Sequence, residues 1–560
     1  MIKKFWQKGK KQKRIIVLIG IVLVGLLFFL RDDYQPALLF LRKYIFILLL
    51  SAGFLWFTLS KFRNAIGAGR RVLILTGIVA FFASLWFAGF KLNLYQYMQT
   101  YNVYKNLNLI ALDELPLTQN ERIQPFNNIV TMAYESIGET QEVSLPQLVR
   151  LDSTNQWTMA VQPAKEYTWQ RMNDNTEELF TVESTSPFPR FSNENRIPVT
   201  FSIGESLAFS RNTYNAVVQR FNLFQLFTME PSDVFYMKND DGKWVQVVNL
   251  IKWKGFFFPY PTYGGVMVID AGVHDLNDYV ERVTIGKGTY IPQSEIKNHP
   301  YLKGQNTLAE KISRIQAQSL QFLGGFTDPL PWNMKTAVKI PELPQDQNQQ
   351  PYVTDFNFEG MKVDASNGLH HWFGLEPIGD ERTSLAFSVL IPADGTNKLY
   401  YYDHAKKKEG LAGVSAMPLK VVESRKEYDW SANRPVEFRP FIKELAGKKR
   451  LFVLGTIAAI RDTNSKQFDG AATPDLALVD AEYRDVIWID AKHPSQWTST
   501  ILHQLGETWK ASEGITDAEL YPDKTDDLDM KPTQVLDSVL IDTTATPVPE
   551  IPKDTLNLEE

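Results

Sequence analysis

Three of the seven histidines stand close together in the sequence. His370 and His371 are adjacent, and His404 follows Asp403. Imidazole and carboxylate groups bind Zn²⁺ and serve as acids and bases. Adjacent residues of a β-strand point to opposite faces, so His370 and His371 cannot both bind one metal ion without a bend. We therefore predict no metal site and no cofactor, and keep these four residues as the first candidates if the protein is an enzyme.

Other short motifs are too incomplete to predict an activity. Ser294 and Lys297 have the S-x-x-K spacing of penicillin-recognising enzymes, but no K-T-G or S-D-N sequence accompanies them. The two glycines of 285–289 are better explained by a β-turn than by a phosphate-binding loop. The oxygen-rich stretches 462–464 and 469–470 lack the spacing and the closing Glu of a calcium loop. Catalytic residues stay unknown, because any pair of buried carboxylates could also serve.

An aromatic run, 253–263, reads WKGFFFPYPTY. Such a run could form a loop that stacks on a glycan, or a segment that dips toward lipid. The interpretation we favour is an aromatic core at the junction of two strands with proline-directed turns.

The composition excludes several classes of protein. The chain has 560 residues, with 59 basic and 64 acidic side chains and a formal net charge of −5, which argues against nucleic acid as a partner. It has no cysteine, so disulfides, thiolate metal sites and cysteine nucleophiles are excluded. Its aromatic content, 12%, is sufficient for one or more large cores.

Three apolar runs near the N-terminus predict transmembrane helices. They cover 15–30, 44–59 and 72–90, and a basic arm, 1–14, precedes the first. Charged residues follow the first run where a signal peptide would have its cleavage site, so we expect retention as a membrane helix. The runs contain no ionisable side chain in their interior, which argues against a pump or a carrier.

Charges in the loops predict the orientation of this anchor. Lys61, Arg63, Arg70 and Arg71 are uncompensated, whereas 31–43 carries both signs. The positive-inside tendency places the basic arm and the second loop in the cytoplasm. We therefore predict a multi-pass protein of the plasma membrane, with its N-terminus inside and everything after about Lys91 extracytoplasmic.

The remainder of the chain alternates short apolar segments with turn residues, which is typical of β-structure. Three hairpins are predicted, at 233–253, 384–404 and 475–490, and the first two have an Asp-Gly step in the turn. Helical spacing of apolar residues predicts helices at 212–227, 307–322 and 496–510. The predicted fold class is α+β: three N-terminal transmembrane helices followed by a large, β-rich extracytoplasmic region with interspersed helices.

Composition also suggests a domain organisation. After the arm 1–14 and the anchor 15–92, we predict an α+β domain at 102–340 and a second β-rich α+β domain at 352–514. The stretch 341–351, rich in Pro, Gln and Asp, would be the linker between them. The acidic end, 523–560, has the composition of a disordered tail.

These observations predict a scaffold or an accessory subunit of a membrane or envelope complex, acting through protein–protein interaction. Its partners would be the lipid bilayer and either further copies of itself or envelope proteins. The alternative is a membrane-tethered extracytoplasmic hydrolase or transferase acting on a glycan or lipid-linked substrate. Its catalytic groups would be buried carboxylates or the histidine neighbourhood.

Overall fold

The fold is described from a computed structural model of the chain. The residues that the structure describes are 22, 25, 28–62, 68–86, 94–152, 154–185, 195–344, 349–365, 367–379, 383–445, 447–460, 468–469 and 475–489. They belong to one compact unit, Met1–Leu505, and the second unit, Gly506–Glu560, lies outside them. The predicted arm 1–14, helix 496–510 and acidic tail 523–560 also lie outside the described residues.

Helices of the described residues occur along the whole unit. In chain order they are α1 Arg31–Phe62, α2 Ala68–Trp86, α3 Leu94–Asn106, α4 Phe126–Glu135, α5 Thr168–Asn173, α6 Thr213–Arg220, α7 Leu223–Thr228, α8 Leu276–Thr284, α9 Glu310–Gln318, α10 His404–Lys407 and α11 Met417–Ser424. A 3₁₀ turn, Ser319–Phe322, continues α9.

The strands of the described residues form four sheets. The strands are β1 Asn108–Ala111, β2 Leu117–Gln119, β3 Gln141–Val143, β4 Gln147–Leu151, β5 Thr154–Pro163, β6 Thr176–Glu183, β7 Arg196–Phe201, β8 Met229–Lys238, β9 Trp244–Lys254, β10 Tyr260–Asp270, β11 Thr289–Ile291, β12 Val338–Lys339, β13 Tyr352–Asn357, β14 Gly368–Pro377, β15 Phe387–Pro392, β16 Lys398–Asp403, β17 Asn433–Leu445, β18 Lys448–Ile460, β19 Phe468–Asp469, β20 Asp475–Asp480 and β21 Val486–Ile489. Sheet I has the order β1-β16-β15-β14-β13-β2, with β12 on β14. Sheet II is β3-β5-β6-β7 with β4 on β5, sheet III is β11-β10-β9-β8, and sheet IV is β17-β18-β20-β21 with β19 on β18.

All three predicted hairpins are confirmed. They are the antiparallel pairs β8–β9, β15–β16 and β20–β21. In the first two turns Gly242 and Gly395 both have φ of +74°, the left-handed backbone that glycine adopts without a steric penalty. The Asp-Gly steps therefore mark these turns for the physical reason assumed from the sequence.

Two predicted helices differ in detail from the observed ones. The stretch 212–227 forms two short helices, α6 and α7, because Asn222 leaves the helix and caps a new one. Its side chain accepts from the backbone of Gln225, and the Gln225 side chain accepts from the Asn222 N–H, which makes a capping box. The helix predicted at 307–322 begins later, at Glu310, and ends in the 3₁₀ turn.

The predicted transmembrane anchor is wrong for the described residues. No helix among them is long and apolar enough to cross a membrane. The uncharged parts of α1 and α2, 44–60 and 72–86, are shorter than the roughly 20 residues that span a bilayer. Most of the first run, 15–30, lies outside the described residues. The multi-pass plasma-membrane localisation and the orientation derived from these runs are therefore not supported.

Polar side chains of α1 bind the β-rich body. Arg31 donates to the Thr284 carbonyl at 3.2 Å and also to the Gln219 carbonyl, near the C-terminal ends of α8 and α6. A cation there complements the partial negative charge of both helix ends. Lys43 lies 2.9 Å from Glu230 on β8. The transmembrane interpretation placed these charges in a loop, whereas in the structure they fix α1 to its neighbours.

The sheets meet through shared apolar layers. One core joins sheets I and III with α9, and another packs the opposite side chains of sheet I against sheet IV. A third lies between sheets II and III under α6 and α7. The buried face of α4 packs on sheet II, where Trp157 and Phe180 contribute large rings. This arrangement brings one end of sheets I, II and IV together around the start of α9.

Candidate functional site

The structure places the candidate histidines in separate surroundings. His371 is fully buried, with its Nδ1 2.6 Å from the Ser313 hydroxyl and its Nε2 2.8 Å from the Asn306 side-chain oxygen. His370 lies on the opposite face of β14, and its ring centroid is 5.1 Å from that of Phe358. Burial lowers the pKa of both imidazoles, that of His371 to about 3. Both rings therefore stay neutral at physiological pH and belong to the packing of sheet I.

His404 and Asp403 have structural partners of their own. The His404 ring contacts Ser388 at 2.9 Å and Glu409 at 2.7 Å, while Asp403 accepts from the Lys406 N–H and caps α10. Within the described residues, no group of three or more His, Asp or Glu side chains is arranged to hold a metal ion. The four candidates therefore do not converge, and an active site built from them stays a prediction without support.

The structure also shows where the other short sequence motifs lie. Ser294 and Lys297 are both exposed, on a turn and a 3₁₀ segment rather than on one face of an α-helix. The aromatic run 253–263 is the β9–β10 hairpin, buried at Trp253 and Tyr263 but exposed at its tip. Of the stretches 462–464 and 469–470, only residue 469 lies within the described residues.

A cavity that sequence reasoning did not find lies where three sheets meet. It has a volume of about 270 Å³ and opens to solvent. Its walls come from the loop before α4, from β4 and β5, from the start of α9, from β13 and from β17: Arg122, Phe126, Pro146, Gln147, Leu148, Trp157, Asn306, Glu310, Gln349, Pro351, Tyr352, Val353 and Glu437. We call it the Glu310 cavity. Aromatic rings and a few polar groups together are the usual lining of small-molecule sites.

Glu310 presents its carboxyl to this cavity. The side chain is solvent-accessible at the cavity, which opens to solvent, while the protein atoms packed around it displace part of its water. This partial desolvation and the neighbouring Asp233 raise the pKa of the Glu310 carboxyl to about 7. Asp233 accepts the backbone N–H of Glu310 and so caps the start of α9, where Ala309 has no side chain to do so.

A buried ion network contributes Arg122 and Glu437 to the lining of the cavity. Glu437 accepts from Arg122 through one carboxylate oxygen and from Arg439 through the other, the latter at 3.2 Å. All three side chains are less than a tenth exposed. Arg439 also donates to the Thr456 hydroxyl at 2.7 Å. Two cations share one carboxylate here, so the charge of this part of the lining depends on Glu437 remaining ionised.

A second feature is an exposed apolar surface near the start of α1. The Phe29 carbonyl accepts from Gln219 of α6 at 3.0 Å, and the bonds of Arg31 to α6 and α8 bring these elements together. The large apolar side chains exposed around this junction are Phe28, Phe29, Leu30, Leu223, Phe224, Phe227, Tyr279, Val280 and Ile285. We call them the helical face. Leu223 and Phe224 are the most exposed, at 73% and 75%.

The sequence held only partial signals for these features. Glu310 is one acid among many, and the cavity around it unites segments from Arg122 to Glu437. The apolar spacing of 212–227 predicted a helix with one buried face, but the break at Asn222 turns Leu223, Phe224 and Phe227 outward. Comparison with protein-family models, with curated proteins and with solved structures gives no match to this chain.

Proposed function

We propose that this protein is an assembly subunit that acts through protein–protein contact, with the helical face as its contact surface. The observation that carries the proposal is the set of nine large apolar side chains that this face exposes together. Isolated exposed apolar residues are ordinary, but several of them on elements that are bonded to one another are typical of an interaction surface.

The occupant we infer is a second copy of the chain. Arg31 and Asp32, two of the charged groups beside the face, are bonded to Gln219 and Thr284 within the same chain, while Asp33 and Arg220 are exposed at its edge. An identical face presents the same apolar side chains and the same charges of both signs. Two-fold symmetry makes such a contact self-complementary, and two-fold dimers are the commonest closed assemblies.

The test is the mass of the purified full-length protein, measured by light scattering over a tenfold range of concentration. We expect a discrete oligomer that Phe224→Asp converts to monomer, because the contact would bury a carboxylate without a partner. Trp332→Asp is the matched control, since Trp332 is 79% exposed and lies outside the helical face. A monomeric wild type at every concentration, or an oligomer that persists in Phe224→Asp, would contradict the proposal.

A further inference from the structure

The Glu310 cavity is a second site, independent of the helical face. Its volume of about 270 Å³ is close to the lower limit of ligand cavities, roughly 300 Å³. Phe126, Trp157 and Tyr352 provide apolar walls, while Gln147 and Asn306 provide amide groups. A small molecule with a short carbon chain and one strongly polar end matches this lining.

Two carboxyl groups line the cavity: that of Glu437 is paired with Arg122, whereas that of Glu310 has no partner among the described residues. Trp157 Nε1 and Arg122 Nε of the same lining also lack a hydrogen-bond partner there. Among the described residues, no side chain or backbone N–H donates a hydrogen bond to the Glu310 carboxyl. The two nearest cations are engaged elsewhere: Arg122 pairs with Glu437, and Arg314 donates to the Gln350 carbonyl at 2.8 Å. An ionised Glu310 therefore has no counter-charge in direct contact.

We propose that the Glu310 cavity binds a small primary amine, whose ammonium group pairs with the Glu310 carboxylate. An ammonium supplies the hydrogen-bond donors that the carboxylate lacks and a positive charge that also offsets Asp233. The rings of Phe126 and Trp157 line the same cavity and offer apolar contact to its carbon chain. A neutral or anionic ligand of the same size gains none of this pairing.

Protonation of Glu310 sets the pH dependence of this binding. With a pKa of about 7, the carboxyl must lose its proton to pair, so affinity rises with pH. The other charged groups around it are Asp233, Arg122 and Arg314, which act on its charge, and Glu437, which lines the same cavity. His371, behind Asn306, stays neutral in this range, since burial lowers its pKa to about 3. From Glu310 alone, we expect affinity to be about tenfold weaker at pH 6 than at pH 8.

The experiment is isothermal titration of the full-length protein with n-butylamine, with 1-butanol as the uncharged probe of similar size. We expect the amine to bind, the alcohol to bind at least tenfold more weakly, and the amine to bind at least tenfold more weakly to Glu310→Gln. Glu295→Gln is the matched control, because Glu295 is an exposed glutamate of the turn after β11. A thermal melt of each variant verifies folding.

Three results would overturn the proposal. The first is that the wild type does not bind the amine at 10 mM, a concentration that corresponds to about 2.7 kcal/mol of binding free energy. The second is that amine and alcohol bind with equal affinity. The third is that a folded Glu310→Gln variant binds the amine with unchanged affinity. Each is separable from the assembly experiment, because Glu310 lies outside the helical face.

Discussion

Replacing Glu437 by Gln tests the buried ion network most directly. The substitution keeps the size of the side chain but removes the only carboxylate that Arg122 and Arg439 contact directly in the network. Glu437 is 2% exposed and Arg439 is 3% exposed, so little solvent contact is available to offset the lost charge. Breaking a buried pair in this way costs about 3–5 kcal/mol, since an uncompensated cation stays in the interior. We expect a loss of that size in the free energy of unfolding.

Urea denaturation followed by tryptophan fluorescence measures this loss, because Trp157 lies against Arg122 at 4.8 Å. The double variant Glu437→Gln with Arg122→Met should recover part of the stability, since one unpaired cation is gone. Glu423→Gln is the control: its pair with Lys420 is on the surface, and its loss should cost at most about 1 kcal/mol. A loss below about 1 kcal/mol for Glu437→Gln would refute the reasoning.

Two further predictions concern α8 and the turn after it. Hydrogen bonds, led by that from Ser202, outweigh desolvation and hold the pKa of Asp278 at about 2. This folded value is below the ordinary 3.8, so above pH 4 the ionised Asp278 contributes about 2 kcal/mol to the free energy of unfolding, and this contribution is lost as the pH falls to 2. The variant Asp278→Asn should lack this part of the acid dependence, which urea midpoints between pH 5 and pH 2 measure. Gly286 has φ of +76°, and an added Cβ would lie 2.2 Å from the Arg220 nitrogen, so Gly286→Ala should lower the thermal midpoint clearly. Gly272→Ala, with nothing within 4 Å, should leave it unchanged, and equal effects of the two would argue against a steric origin.

Local features of the fold could be predicted from the sequence because their causes are local. The hairpin turns at Gly242 and Gly395 depend on a backbone conformation that few residues adopt, so the presence of glycine there predicts the turns. The alternation of apolar residues predicted the strands for a similar reason. The split of 212–227 could have been found too, since Asn222 and Gln225 have the spacing of a capping box.

The transmembrane prediction failed because it considered the hydropathy of the apolar runs without the contacts of the charged residues next to them. Hydropathy treats Arg42 and Lys43 as a boundary, whereas in the structure they lie within α1 and bind the body. The Glu310 cavity was beyond prediction for another reason. Its chemistry depends on which charges are already paired, and the pairing of Arg122 with Glu437 joins residues 315 positions apart.

The parallel pairing of β1 with β16 has a consequence for biosynthesis. Asn108 pairs with Lys398, so about 290 residues must be made before β1 finds its neighbour, which takes roughly 15–60 s at 5–20 residues per second. β2 pairs with β13, so its pairing is delayed in the same way. For that interval the ribosome holds a nascent chain whose early strands have exposed edges, and such edges invite pairing with other chains. Sheets II and III, whose strands follow one another closely in sequence, have no such delay. They can form before β16 is made and offer a folded surface on which sheet I is then completed.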